Sequence, residues 1–106
     1  MKFKLLYVTV PDMAQAERIA AALVEDRLVA CANLLPGASS IYRWQGRIER
    51  ANEIILVAKT REGLVDAAIT RIKAMHSYSV PGAVALPIEA GDPDYLRWLA
   101  GETEGA

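Results

Sequence analysis

Residues 28–60 read LVACANLLPGASSIYRWQGRIERANEIILVAKT, and the architecture turns on how this stretch is read. Leu28 to Leu35 is apolar and β-prone, and Arg47 to Thr60 carries a second such run, Ile54-Ile55-Leu56-Val57-Ala58. Pro36-Gly37 interrupts the first run. Proline has no ladder donor and glycine accepts unusual φ, so a bend or bulge is expected there, not the end of the strand. Ile41 to Trp44 continues extended, Gln45-Gly46 supplies a tight reversal, and Arg47 to Thr60 returns. The stretch therefore reads as an unusually long, bent β-hairpin.

Upstream, Phe3 to Val10 reads as a strand that Pro11-Asp12 ends. Asp12 is a suitable N-cap, and Gln15 stands three residues later, as in a capping box. Ala16, Ile19, Ala20, Leu23 and Val24 then recur at helical spacing, offset from Glu17, Arg18, Glu25 and Asp26. Downstream, a second helix is expected from about Glu62 to Met75, with Val65, Ala68, Ile69, Ile72 and Met75 as its apolar stripe. Val80-Pro81-Gly82 breaks the chain before a fourth strand, Ala83 to Ile88, where Pro87 favours an edge position. Asp92-Pro93 matches a cap followed by proline in the first turn, so a short helix from Asp94 to Leu99 follows. Gly101 to Ala106 is expected to fray. The order β-α-β-β-α-β plus a short C-terminal helix describes an α+β, ferredoxin-like sandwich: an antiparallel sheet with both main helices on one face, all in a single domain over residues 1–106.

Composition narrows the function classes. The 106 residues are 53% apolar and carry a formal charge of −1, which gives no electrostatic reason to bind nucleic acid or an anionic membrane. The N-terminal apolar stretch breaks too early for a signal peptide, and no window is long enough to span a bilayer. The single cysteine, Cys31, excludes an internal disulfide and any CxxC motif and fits a reducing, cytoplasmic setting. There is no Ser/His/Asp set, HExxH, GxSxG or phosphate loop, so an enzyme is not expected.

The strands themselves argue for self-association. An antiparallel sheet with one wet face alternates apolar and polar residues. Leu5-Leu6-Tyr7-Val8, Ile54 to Ala58 and Ala83-Val84-Ala85-Leu86 are instead apolar on both faces. A contiguous exposed patch of this kind is an interface or an aggregation hazard. Neighbouring copies covering it are the simplest resolution, and the competing reading is that Leu96, Trp98 and Leu99 of the last helix cover it.

One segment carries a resemblance to a known family. Ala30-Cys31-Ala32-Asn33-Leu34-Leu35-Pro36-Gly37, followed by Ser40-Ile41-Tyr42-Arg43-Trp44-Gln45-Gly46, resembles the central signature of CutA proteins. Glu53, Lys59-Thr60, His76, Tyr78, Pro81, Gly91-Asp92, Tyr95-Leu96 and Trp98 fit its continuation in order. The resemblance implies a compact homotrimer, similar in architecture to PII signalling proteins with clefts between subunits, a cytosolic location and a tie to copper and other divalent cations. The chain also departs from the family: the usual His-Pro-Tyr-Glu-Val-Pro run here reads His76-Ser77-Tyr78-Ser79-Val80-Pro81. Some members have two adjacent histidines and an extra cysteine as ligands, where this chain has Met75 and Val8.

Candidate sites follow, each beside a plainer role. His76, the only histidine, suits Cu(II) or another divalent cation, although one histidine is not a site and a polar helix C-terminus is its plainer role. Cys31 suits Cu(I) as a thiolate, whereas a free cysteine in an apolar strand is more commonly a small buried hydrophobe. Tyr42, Trp44, Tyr78 and Trp98, with Lys59 and Glu53, have the mix of apolar wall and few polar groups that a small-ligand pocket needs. Interface packing is the plainer reading for Tyr42 and Trp44. Lys59, Tyr78 and Trp98 remain as ligand candidates. Three functions compete: a metal-binding, metal-tolerance trimer, a PII-like trimer with a small ligand in a subunit cleft, and an enzyme.

Overall fold

The computed structural model describes residues 1–106. Strands β1 (Phe3–Val10), β2 (Cys31–Trp44), β3 (Arg47–Arg61) and β4 (Ala83–Ile88) form one antiparallel sheet in the order β2-β3-β1-β4. Helices α1 (Met13–Glu25), α2 (Val65–Met75) and α3 (Pro93–Glu102) complete the chain, with a 3₁₀ turn at Glu62–Leu64 leading into α2. This is the ferredoxin-like arrangement. Pro87 lies on the edge strand β4, where its missing N–H costs no central pairing.

The pleat sorts the residues. Leu6, Val8 and Val10 of β1 and Leu56 and Ala58 of β3 point to one face, where Ala16, Ile19 and Leu23 of α1 and Ala68 and Ile72 of α2 bury them. Each large aliphatic side chain so covered contributes about 1.5–3 kcal/mol. The hairpin is as long as its sequence indicates: β2 runs unbroken to Trp44 across a bulge between Leu35 and Ala38, with Gly37 at φ 92°. Gln45 and Gly46 both take positive φ at the tip, which suits a two-residue reversal. The arm stretches the molecule to 44 Å in its longest dimension, against 24 and 21 Å in the others.

Four local expectations need correction. The second strand begins at Cys31, not Leu28. Arg27 takes φ 57°, and the amides of Leu28 and Val29 bond back to the Leu23 carbonyl, so these residues close the end of α1 before the chain joins the sheet. The capping box is only half formed. Asp12 accepts from the Gln15 amide at 2.8 Å, but the Gln15 side chain reaches across to Ser77, bonding both its amide and its hydroxyl. The last helix extends to Glu102, beyond Leu99. The tail does not fray at Gly101: Thr103 is buried, donates to the Leu99 carbonyl at 3.0 Å and accepts from Arg61 at 2.9 Å.

The other face of the sheet stays open. Phe3, at one end, is covered by Leu99 of α3 together with Ala30. Beyond that corner, Tyr7, Leu35, Val84 and Leu86 remain 41%, 49%, 55% and 47% exposed. A ten-residue helix covers one corner and no more.

Candidate functional site

A cleft of about 620 Å³ opens where the outer half of the hairpin, the inner end of β1 and the 78–82 loop meet. Local structure explains its walls. After the bulge, Ser40, Tyr42 and Trp44 alternate along β2, and Glu53 lies opposite Ala38 in the register, so all four project from one side of the ribbon. Across from them the chain leaves α2 at His76 and crosses over as Tyr78-Ser79-Val80 before Gly82, whose carbonyl accepts the Thr9 amide at 3.2 Å.

His76 fixes that crossing. It is buried, its Nε2 lies 2.8 Å from the Thr9 carbonyl oxygen, and its Nδ1 accepts the Tyr78 amide at 3.1 Å. An Nδ1 that accepts carries no proton, so the proton sits on Nε2 and is donated to Thr9. The rings of His76 and Tyr78 lie 4.8 Å apart. Tyr78 thereby presents its hydroxyl to Glu53, donating to Oε2 at 3.1 Å. Burial, then the hydrogen bond to Glu53 and its negative charge, push the Tyr78 phenol up to about 12.

Glu53 is the unusual member. It is only 5% exposed, yet no lysine or arginine pairs with it. Its single hydrogen bond comes from the neutral Tyr78 hydroxyl, and its second oxygen, Oε1, has no partner in the chain. No buried side-chain oxygen is sealed away without a partner, so Oε1 keeps contact with the cleft that Glu53 lines.

A second cluster lies at the far end of the sheet. Cys31 and Lys59 face each other across β2 and β3. The Tyr95 hydroxyl lies 3.4 Å from the Cys31 sulfur and accepts from Lys59 Nζ at 3.2 Å, and that ammonium stands 5.2 Å from the Tyr95 ring centre. The bond to Tyr95 raises the Lys59 pKa against the opposing effect of desolvation, with smaller help from charge at Cys31 and Tyr95. Trp98 packs beside Tyr95, ring centres 5.5 Å apart.

The structure therefore regroups the residues singled out from sequence. Tyr42, Trp44, Tyr78 and Glu53 come together in the cleft. Lys59 and Trp98 do not join them: they belong to the Tyr95 cluster. Cys31 and His76 are also apart. Cys31 pairs with Lys59, which aligns with Leu5, whereas His76 bonds Thr9 four residues further along β1, about 13 Å at strand rise. No three metal-ligating side chains converge within the chain, and a metal reaches a His76 nitrogen only by displacing one of its hydrogen bonds. Ser40 and Tyr95 lay within the quoted resemblance but were not singled out as site residues, and neither were the lining residues Thr9 and Ser79.

Comparisons with known proteins agree with this geometry. The CutA1 divalent ion tolerance protein family matches residues 4–102. The chain is 46% identical over 100 residues to the divalent-cation tolerance protein CutA of Thermus thermophilus, covering 94% of this chain and 97% of that one. It is 43% identical over 98 residues to the chloroplastic protein CutA 1 of Oryza sativa, covering 92% of this chain and 55% of that protein. The chain thus spans little more than half the length of several relatives. The crystal structure of CutA from Xylella fastidiosa superposes with a TM-score of 0.95 at 46% identity, over 98% of this chain and all of that one. With sequence, fold and element order all in agreement along nearly its whole length, the chain belongs to the CutA1 divalent ion tolerance protein family.

Proposed function

We propose that this protein serves divalent-cation tolerance as a homotrimer, and that Cu(II) or another divalent cation binds to the assembled protein. The observation that carries the assembly is the open sheet face, where Tyr7, Leu35, Val84 and Leu86 present a continuous apolar surface that α3 leaves uncovered. The trimeric count and the link to metal rest on the family. Because no single chain brings three ligands together, the proposed metal site draws on more than one copy. Cys31 is the soft ligand available to it. His76 takes part only by giving up its bond to the Thr9 carbonyl. No catalytic role is proposed. No helix is long and apolar enough to cross a membrane. A cytoplasmic setting is the reading that the lone unpaired Cys31 supports.

Sedimentation at nanomolar dilution tests the assembly. A folded 11.5 kDa species would refute it. Calorimetry with Cu(II) in a non-chelating buffer tests the metal. Stoichiometric binding that weakens in Cys31→Ser or His76→Ala supports the reading, and no heat of binding removes it. A second reading, a PII-like trimer with a small ligand, is favoured by one feature, the cleft of about 620 Å³ with aromatic walls.

A further inference from the structure

We propose that neighbouring copies of this chain are joined by an ion pair in which Lys59 of one copy donates to Glu53 of the next. The inference rests on the homotrimer reading and names the contact that sets how the copies lie against each other.

The register sorts the charges. Leu5, Tyr7, Ile55 and Val57 share the open sheet face with Glu53 and Lys59, because β3 alternates without a break between them. The other charged side chains on that side are already engaged. Arg61 is held by α3, donating to Thr103 at 2.9 Å and to the Ala100 carbonyl. Arg47 and Glu49 stand two positions apart at the hairpin tip and offset each other there. Glu53 and Lys59 are therefore the charges set at the ends of the apolar surface, and neither has an opposite charge in its own chain. Lys59 Nζ donates only to the Tyr95 hydroxyl, at 3.2 Å, which leaves the rest of the ammonium without a partner. Glu53 accepts only from the neutral Tyr78 hydroxyl.

Within one chain the two cannot meet. They stand six residues apart along β3, about 20 Å at strand rise. Covering the face takes water from both, and a charge enclosed without a partner costs far more than a paired one. A ring of identical copies brings two different patches of the chain together at every contact. A face that is acidic at one end and basic at the other suits that arrangement. The Lys59 end of one copy then lies against the Glu53 end of the next, and the contact repeats around the ring. Glu53 Oε1, which faces the cleft, is the acceptor left over for the ammonium. The cleft becomes a composite of two copies, because Cys31 and Tyr95 accompany Lys59 to its mouth.

A double-mutant cycle on the assembled protein tests the pair, using Glu53→Gln, Lys59→Met and both together. The measurement is the urea midpoint for loss of the oligomer by sedimentation, at one fixed protein concentration. Either single change is expected to lower the midpoint by about 1 M, since each strands the opposite charge in the interface. The double variant is expected to fall no further than the worse single, a coupling that side chains about 20 Å apart in one chain do not show. Additive losses overturn the pairing while the homotrimer reading stands. A parent that sediments as a folded monomer at nanomolar dilution overturns both. Should a Glu53 variant fail to fold, the parent protein decides the matter. Assemblies refolded from isotopically light and heavy chains are treated with a water-soluble carbodiimide, which joins a carboxylate to an amine in contact with it. A Glu53–Lys59 amide linking a light chain to a heavy one supports the pair, and its absence refutes it.

Discussion

Replacing His76 with alanine removes two hydrogen bonds that hold the 76–82 crossing against β1. One is donated by Nε2 to the Thr9 carbonyl at 2.8 Å, and the other is accepted by Nδ1 from the Tyr78 amide at 3.1 Å. Each bond contributes about 0.5–1.5 kcal/mol net, and a partner left unpaired and dry costs about 1–3 kcal/mol. Alanine opens some access for water at this site, so the expected loss for the pair is about 2–4 kcal/mol. That is a large share of the ~5–15 kcal/mol of an ordinary domain. His76→Gln keeps a donor within reach of Thr9 but no acceptor at the Nδ1 position, so it is expected to recover about half of the loss. The assay is guanidinium unfolding at one fixed protein concentration, because an oligomer's midpoint shifts with concentration. A His76→Ala variant within about 0.5 kcal/mol of the parent would refute the structural role. If the same variant also lost Cu(II) binding, His76 would instead be a ligand held loosely in a protein that does not need it to fold.

Three further outcomes follow from the geometry. Tyr78 titrates at about 12 in the folded protein against 10.0 when unperturbed. Its stabilising contribution is therefore complete below pH 10 and lost as pH rises toward 12, and Tyr78→Phe should flatten urea midpoints across that alkaline window while removing the latest phenolate step in ultraviolet absorbance. Thr60→Val, nearly isosteric at a fully buried site, leaves the Leu28 carbonyl without the hydroxyl that now lies 2.7 Å from it, and is expected to cost about 1–3 kcal/mol in chemical denaturation. Val84→Lys places a charge on the open sheet face, at its β4 edge, and should yield smaller species by light scattering with retained far-ultraviolet circular dichroism. Unchanged mass would show that this face is not the interface.

Local chemistry made most of the fold readable in advance. Asp12 and Asp92 cap their helices because a short carboxylate beside the first turn finds a free amide wherever the helix later packs. The bulge after Leu35 follows from a proline that cannot donate and a glycine that accepts φ 92°. The double-sided apolar runs of β1, β3 and β4 announced an uncovered face because strand periodicity assigns neighbouring residues to opposite sides. Where reading failed, a long-range partner overrode a local signal. Gln15 gave up its capping bond for Ser77, sixty-two residues away, and Thr103 was fixed by Arg61, so the tail did not fray.

The sequence by itself determined the elements, the faces they present and the apolar surplus that calls for neighbouring copies. Each of these depends on residues within a few positions of one another, where spacing maps directly onto geometry. Only the tertiary structure decided which polar groups meet. Tyr78 reaches Glu53 and His76 reaches Thr9 because the strand register and the bulge set segments twenty-five and sixty-seven residues apart side by side. A shift of one residue in that register would turn Glu53 to the other face of its strand and take its carboxylate away from Tyr78.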